Sequence, residues 1–207
     1  MTATFLRKIA VMLVLGISFF SIPSCTENVI GTEKIIIEVQ PFYDIDSAKV
    51  NYVYRELRKI YPQVILKDKI PLPKSAYNNG RGRYRADSII YQLQRTSTHN
   101  HIIVGLTSKD ISTSKNNVRD WGVMGLGLCP GNACVVSDFR LSKKELLMQL
   151  FKVSIHEIGH TQGLQHCSVK TCFMRDAEGR NPTNDEVDFC PTCKAILVNK
   201  GFNFSTQ

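Results

Sequence analysis

The chain has 207 residues, enough for one domain with a core of its own. Apolar residues make up 43% and charged residues 21%, ordinary globular usage that excludes disorder, a collagen-like repeat and a polytopic membrane protein. The formal charge of +8 comes without a basic run interleaved with aromatics, so it reads as a solvated basic surface, and nucleic acid is not an expected partner.

Residues 1–24 have the pattern of an export signal: a basic Arg7-Lys8 pair, an uncharged run from Ile9 to Phe20, then Ile22-Pro23-Ser24-Cys25. The run is short for a membrane span. The junction resembles a bacterial lipobox, in which the cysteine is lipidated and becomes the mature N-terminus. Cys25 is therefore expected to carry a lipid anchor, with a plain secretory signal or an uncleaved anchor as alternatives. On this reading the protein is an exported, membrane-anchored lipoprotein of a bacterial cell envelope. Residues 25–32 form a tether.

In the mature chain, Ile35-Ile36-Ile37-Glu38-Val39 predicts a buried strand stopped by Pro41. Asp46 to Tyr61 predicts a helix, with Asp46 as its N-cap and Ala48, Tyr52, Val53, Leu57 and Ile60 on one face. Val64-Ile65-Leu66 begins a second strand. Residues 78–83 form a loop by composition, and Tyr84 to Arg95 a second helix. His101 to Leu106 predicts a third strand, and Ser108 to Asp120 a polar loop. Trp121 to Leu128 is strand-like, with three glycines that suit close backbone approach or bulges. A turn at residues 129–132 leads to a short strand at Val135-Val136. Ser142 and Glu145 fit a capping box for a long helix running to about Leu164. An irregular, cysteine-rich segment follows, then a short helix after Cys193. The order gives a mixed α/β (α+β) domain.

The chemistry concentrates in His156-Glu157-Ile158-Gly159-His160-Thr161-Gln162-Gly163-Leu164-Gln165-His166. Residues four apart share one helix face, so His156 and His160 can meet one ion. Glu157 stands one residue further round, placed to hold a metal-bound water without ligating. Gly163 can take the left-handed conformation that ends a helix, and the turn brings in His166. Three neutral imidazoles and a water make an open, catalytic zinc site. The extended pattern HExxHxxGxxH fixes five positions and is far more specific than HExxH alone. Cys190-Pro191-Thr192-Cys193 has knuckle spacing, and with Cys167 and Cys172 it suits either a tetrahedral zinc or two disulfides. Cys129 and Cys134 flank a turn, as a local disulfide or as two buried thiols. His99 and His101 read as ordinary histidines, and Arg81, Arg83 and Arg85 as a solvated loop and helix start.

The extended histidine motif resembles that of the metzincin zinc peptidases. The tail Cys167…Cys172-Phe173-Met174…Cys190-x-x-Cys193 is similar to that of the archaemetzincins in particular. So are Pro71-Leu72-Pro73-Lys74-Ser75-Ala76-Tyr77, Arg83-Tyr84-Arg85-Ala86-Asp87, and Val135-Val136-Ser137 before Arg140-Leu141. The likeness covers most of residues 33–200. It implies a metzincin-like domain over residues 33–207, with a mixed twisted sheet, a long active-site helix and an irregular cysteine-rich C-terminal subdomain. It implies a zinc metallopeptidase that hydrolyses peptide bonds with a metal-activated water and Glu157 as general base. His156, His160 and His166 would bind the catalytic zinc, and Met174 would be the Met-turn residue beneath it. Cys167, Cys172, Cys190 and Cys193 would bind a second, structural zinc. Fifteen residues separate Met174 from Cys190, a residue or two fewer than is usual in the family. The expected partners are a peptide or protein substrate and the membrane, with the oligomeric state left open. The rival reading is a membrane-tethered, zinc-stabilised binding module without turnover. The intact Glu157 argues against it.

Overall fold

The computed structural model describes residues 35–202 and 204. The expectations for the export signal, the tether and Cys25 lie outside the described residues. Among the described residues, no helix is long and apolar enough to cross a membrane.

Among the described residues, nine strands and four α-helices follow in chain order, with one 3-10 turn at Lys74–Ala76: β1 (Ile36–Pro41), α1 (Ser47–Ile60), β2 (Val64–Leu66), β3 (Tyr77–Asn78), β4 (Arg83–Arg85), α2 (Ala86–Thr96), β5 (His101–Thr107), β6 (Ile111–Lys115), β7 (Val118–Val123), β8 (Gly125–Gly127), β9 (Ala133–Ser137), α3 (Leu146–Thr161) and α4 (Pro191–Val198). A five-stranded sheet has the order β2-β1-β5-β9-β8. Its first four strands are parallel, and β8 runs antiparallel to β9 at the edge. A second sheet has the order β3-β4-β6-β7.

Side-chain alternation along the parallel strands builds a core on each face. Val104, Leu106, Cys134 and Val136 pack with Val50, Val53 and Leu57 of α1 and with Leu150, Ile155 and Ile158 of α3. Ile103, Ala133 and Val135 pack with Ile89, Ile90 and Leu93 of α2. The sheet is thus sandwiched between helices, and its β9–β8 end carries α3.

Asp46 caps α1 as expected, its Oδ1 accepting the Ala48 N–H at 2.7 Å. α1 ends before Tyr61, whose extended backbone (φ −116°, ψ 122°) is the conformation favoured ahead of Pro62. Several boundaries differ from expectation. β1 runs through Pro41, which tolerates the strand end because the next amide, Phe42 N–H, carries the bond to Leu106. The polar stretch 108–120 is largely a hairpin of β6 and the start of β7, closed at Asn116-Asn117 with Asn116 at φ +52°. It is polar because only Ile111 and Ser112 are buried. Arg83 to Arg85 form β4 ahead of α2, not its first turn. Residues 118–127 make two strands belonging to different sheets.

The capping box at Ser142 does not form. α3 starts at Leu146, because Gln149 Oε1 takes the Ser142 N–H at 2.9 Å, the donor a box would have given to Glu145. The final helix begins at Pro191, which is preset for a first helical position, so it contains Cys193 instead of following it.

Candidate active site

α3 ends in a left-handed turn at Gly163, φ +89°. The Gly163 N–H bonds the His160 carbonyl at 2.8 Å and the Leu164 N–H bonds that of Gly159 at 3.1 Å, a complete Schellman motif. Any residue with a Cβ would be strained at this φ. The turn reverses the chain and returns His166 to the helical pair. The ring centroids of His156 and His160 lie 4.6 Å apart, with His166 at 5.5 and 4.9 Å from them. One ligand atom from each of the three falls within 4.8 Å of the others, so the trio can hold a metal ion.

Each ring is turned by an oxygen behind it. His156 Nδ1 lies 2.6 Å from the Phe173 carbonyl and His160 Nδ1 2.7 Å from the Leu164 carbonyl. A carbonyl only accepts, so each Nδ1 carries the proton and each Nε2 keeps its lone pair for a metal. His166 Nδ1 faces Asp176 Oδ2 at 3.3 Å, and the other oxygen of Asp176 accepts the Glu178 N–H at 2.9 Å. Burial holds His156 at a pKa of about 3, helped by the neighbouring His160 and opposed by its bond to Phe173. Burial lowers His160 as well. Both rings are therefore neutral at pH 7, the form that ligates.

Glu157 lies on the sheet side of α3 and is 7% exposed. Burial pushes its carboxyl up to about 8, against a backbone hydrogen bond from Gly127. The edge strand β8 comes this close only because its two residues facing Glu157, Gly125 and Gly127, have no side chains. A Cβ on Gly127 would stand 2.7 Å from the Glu157 carbonyl oxygen, and one on Gly125 2.6 Å from its Oε1. The glycines of 121–128 thus serve close approach, as expected. A cleft of about 690 Å³ opens here, with β7–β8, the C-terminal half of α3 and the segment 175–186 in its lining.

Met174 is fully buried, its sulfur against Gly159 on the underside of α3. Beyond it, the sulfurs of Cys167, Cys172, Cys190 and Cys193 lie within 4.8 Å of one another. The Cys167 and Cys190 sulfurs are 3.7 Å apart, where a disulfide needs about 2.05 Å and two ligands of a tetrahedral zinc about 3.8 Å. All four are free thiols. Cys172 Sγ accepts the N–H groups of Met174 at 3.5 Å and Cys190 at 3.3 Å, an arrangement suited to a thiolate. Burial pushes Cys172 and Cys193 up, while hydrogen bonds led by the Cys193 backbone bring Cys190 down to about 7 against burial. Four such groups cannot all ionise together without a cation. The donor set fits zinc.

Cys129 and Cys134 are also free: Cys134 is in the core, and Cys129 is on the cleft rim against the Leu164 carbonyl. His101 pairs with Glu38 at 2.6 Å, away from the histidine cluster. The arginine run is not simply solvated: Arg83 pairs with Asp110 and Arg85 with Asp120 and Asp87. Asp176, the Gly127 N–H and Glu186 escaped sequence reading. None has a fixed spacing from the histidine motif, and only the fold brings them to the cleft.

Comparison with known proteins agrees with this architecture. A model of peptidase family M54 matches residues 20–199. An archaemetzincin of Haloquadratum walsbyi is 27% identical over 181 residues, covering 79% of this chain and 99% of its own. One from Methanopyrus kandleri is 31% identical over 142 residues, covering 64% of this chain and 76% of its own. The crystal structure of the Archaeoglobus fulgidus archaemetzincin complexed with malonate is similar at a TM-score of 0.67 and 29% identity, covering 78% of this chain and 99% of that one. The Methanopyrus kandleri structure gives 0.69 and 27%, covering 83% and 97%. With the three histidines gathered where they could hold a metal, the buried glutamate beside them and the family match spanning most of the chain, the chain belongs to peptidase family M54, the archaemetzincin zinc metallopeptidases.

Proposed function

We propose that His156, His160 and His166 hold the catalytic zinc through Nε2, and that Glu157 is the general base that cleaves a peptide bond. The observation that carries this reading is the hydrogen bonding behind the rings: His156 and His160 each have Nδ1 tied to a carbonyl, so their lone pairs converge beside a buried carboxyl. Zinc bound there would supply a Lewis acid and acidify its water, and its positive charge would oppose the effect of burial on Glu157 and favour the ionised carboxylate. Glu157 takes the proton of the attacking water and passes it to the leaving amine. The Gly127 N–H favours the carboxylate form that Glu157 has before the first transfer and regains after the second. β8 is an edge strand, so an extended peptide can add alongside it and run past Glu157. Met174 supports the helix from beneath. The test is hydrolysis of a peptide library by the zinc-loaded protein, abolished by a chelator and restored by zinc; a zinc-loaded protein inert on broad libraries contradicts the reading.

Asp176 orients His166 on this reading, as carboxylates do behind metal-bound histidines. Asp176→Ala is expected to weaken zinc at the histidines about 10- to 100-fold. Chelator competition measures the change, and zinc at the cysteines should be unaffected.

The four cysteines hold a second, structural zinc in the same proposal. Outside the described residues, Cys25 carries a lipid that anchors the enzyme at a cell-envelope membrane, with the following residues as tether. The Arg7-Lys8 leader and the Ile22-Pro23-Ser24-Cys25 junction support this. Expressed in bacteria, the wild type should fractionate with membranes and the Cys25→Ser variant should lack acylation. Mass spectrometry that finds an unmodified chain starting elsewhere would sink the anchor.

A further inference from the structure

The segment 175–186 contributes to the cleft lining, and α3 ties it down. Lys152 Nζ donates to the carbonyls of Thr183 at 2.7 Å and Glu186 at 2.5 Å. Gln149 Nε2 donates to Asn184 Oδ1 at 3.0 Å, and its Oε1 accepts from Asn181 Nδ2 at 2.8 Å. These bonds hold Glu186 in the lining from Lys152, which stands one helical turn ahead of His156, with only 4% of the residue exposed.

The other buried acids have donors. Glu38 faces His101 and Lys67, Asp138 faces Lys49 and Ser108, and Glu157 has the Gly127 N–H. Among the described residues, no donor bonds the Glu186 carboxylate. The nearby cations are engaged elsewhere: Lys152 with the two carbonyls, and Arg175 with Asp185 Oδ2 at 3.1 Å and the Lys170 carbonyl at 3.4 Å. Their fields still favour the ionised carboxylate, while burial and Asp185 disfavour it and leave the group at about 7. The residue is buried but its carboxylate oxygens keep a little contact with the cleft solvent, so the group faces the cleft with scant hydration and no protein donor. On the wall of a binding cleft, the missing donor can come from the ligand.

Resting on the reading of this cleft as a peptide site, we propose that Glu186 is the receptor for a positively charged group of the substrate. Two peptide groups have that chemistry: a lysine or arginine side chain, and a free N-terminal amine. Both donate several hydrogen bonds to one carboxylate.

Trp121 is the only tryptophan of the chain and lines the same cleft, so its emission reports binding without turnover. The experiment uses the full zinc-loaded chain carrying Glu157→Ala, with and without Glu186→Gln. Three peptide sets are titrated: acetylated peptides with a lysine or arginine, free-amine peptides without one, and acetylated peptides without one. One or both cation-bearing sets should bind about tenfold or more tighter than the third, and Glu186→Gln should abolish the difference. Preference for the first set assigns a basic side chain, and for the second a chain terminus. Equal binding of all three sets, or a preference that survives Glu186→Gln, overturns the proposal. Glu186→Gln should also melt no lower than its parent, because it removes a buried charge without changing shape. A lower melting temperature would mark Glu186 as a structural acid and overturn the proposal too. Failure of the peptidase reading shows separately, as absent hydrolysis by the protein with Glu157 intact.

Discussion

Replacing Glu157 with alanine is expected to leave zinc content and fold intact while lowering peptide hydrolysis about 10²-fold or more, the low end for removing a general base. The separation follows from geometry. The carboxyl is held by the Gly127 N–H on the sheet side of α3, whereas the cluster that can hold a metal consists of the three histidines. His160→Ala should instead lose the zinc and the activity together, since two imidazoles hold an ion less well than three. Zinc analysis paired with kcat/KM on a cleaved peptide distinguishes the two variants. A Glu157→Ala protein with undiminished turnover would remove the mechanism.

The largest effect on stability is expected at the cysteines. Cys190→Ser should leave one zinc per chain and unfold the C-terminal segment. Zinc binding in small zinc-held units contributes about 10–16 kcal/mol, as much as the whole stability of an ordinary domain at about 5–15 kcal/mol. Between α3 and α4 there is no strand, so beyond the isolated bridges Cys167–Arg175 and Cys172–Asp188 the segment is held by the Lys152 and Gln149 bonds to residues 181–186 and by the packing of Phe173, Met174 and Phe189, and the cysteines are what pin its two ends together. The loss should reach the active site, because Phe173, beside Cys172, supplies the carbonyl that orients His156, and Met174 packs under α3. Hydrogen exchange should show protection lost from about residue 167 onward while the parallel sheet keeps its own. Two disulfides found by non-reducing mass mapping, with a single zinc, would contradict this.

The long helix and the gathering of His156, His160 and His166 were legible because their logic is local. Helical spacing places His156 and His160 on one face, and a left-handed glycine turn needs only Gly163. β1, α1 and β2 were legible for the same reason, as hydrophobic patterns with a cap or a proline nearby, and β5 as an apolar run alone. The β6–β7 hairpin was missed because its exposed strands carry polar residues, leaving Asn116-Asn117 as the chief signal. The start of α3 was misplaced because Gln149, four residues beyond Glu145, competes for the Ser142 N–H, and no local pattern reveals that competitor. The relation of β8 to Glu157 is tertiary. The glycines announced a close approach, but only the fold says to what. The cysteine cluster lies between these cases: spacing fitted both zinc and disulfides, and the sulfur positions favour a tetrahedral cation.

The position of the metal relative to Glu157 decides whether that residue is a base or a ligand. Crystals of the zinc-loaded protein, with anomalous scattering measured on both sides of the zinc edge, test it most directly. The expected result is one zinc about 2.0–2.1 Å from Nε2 of His156, His160 and His166, with the Glu157 carboxylate outside the coordination sphere, and a second zinc about 2.3 Å from the four cysteine sulfurs. A zinc ligated by Glu157, or one bound through Nδ1 of His156 or His160, would contradict the account.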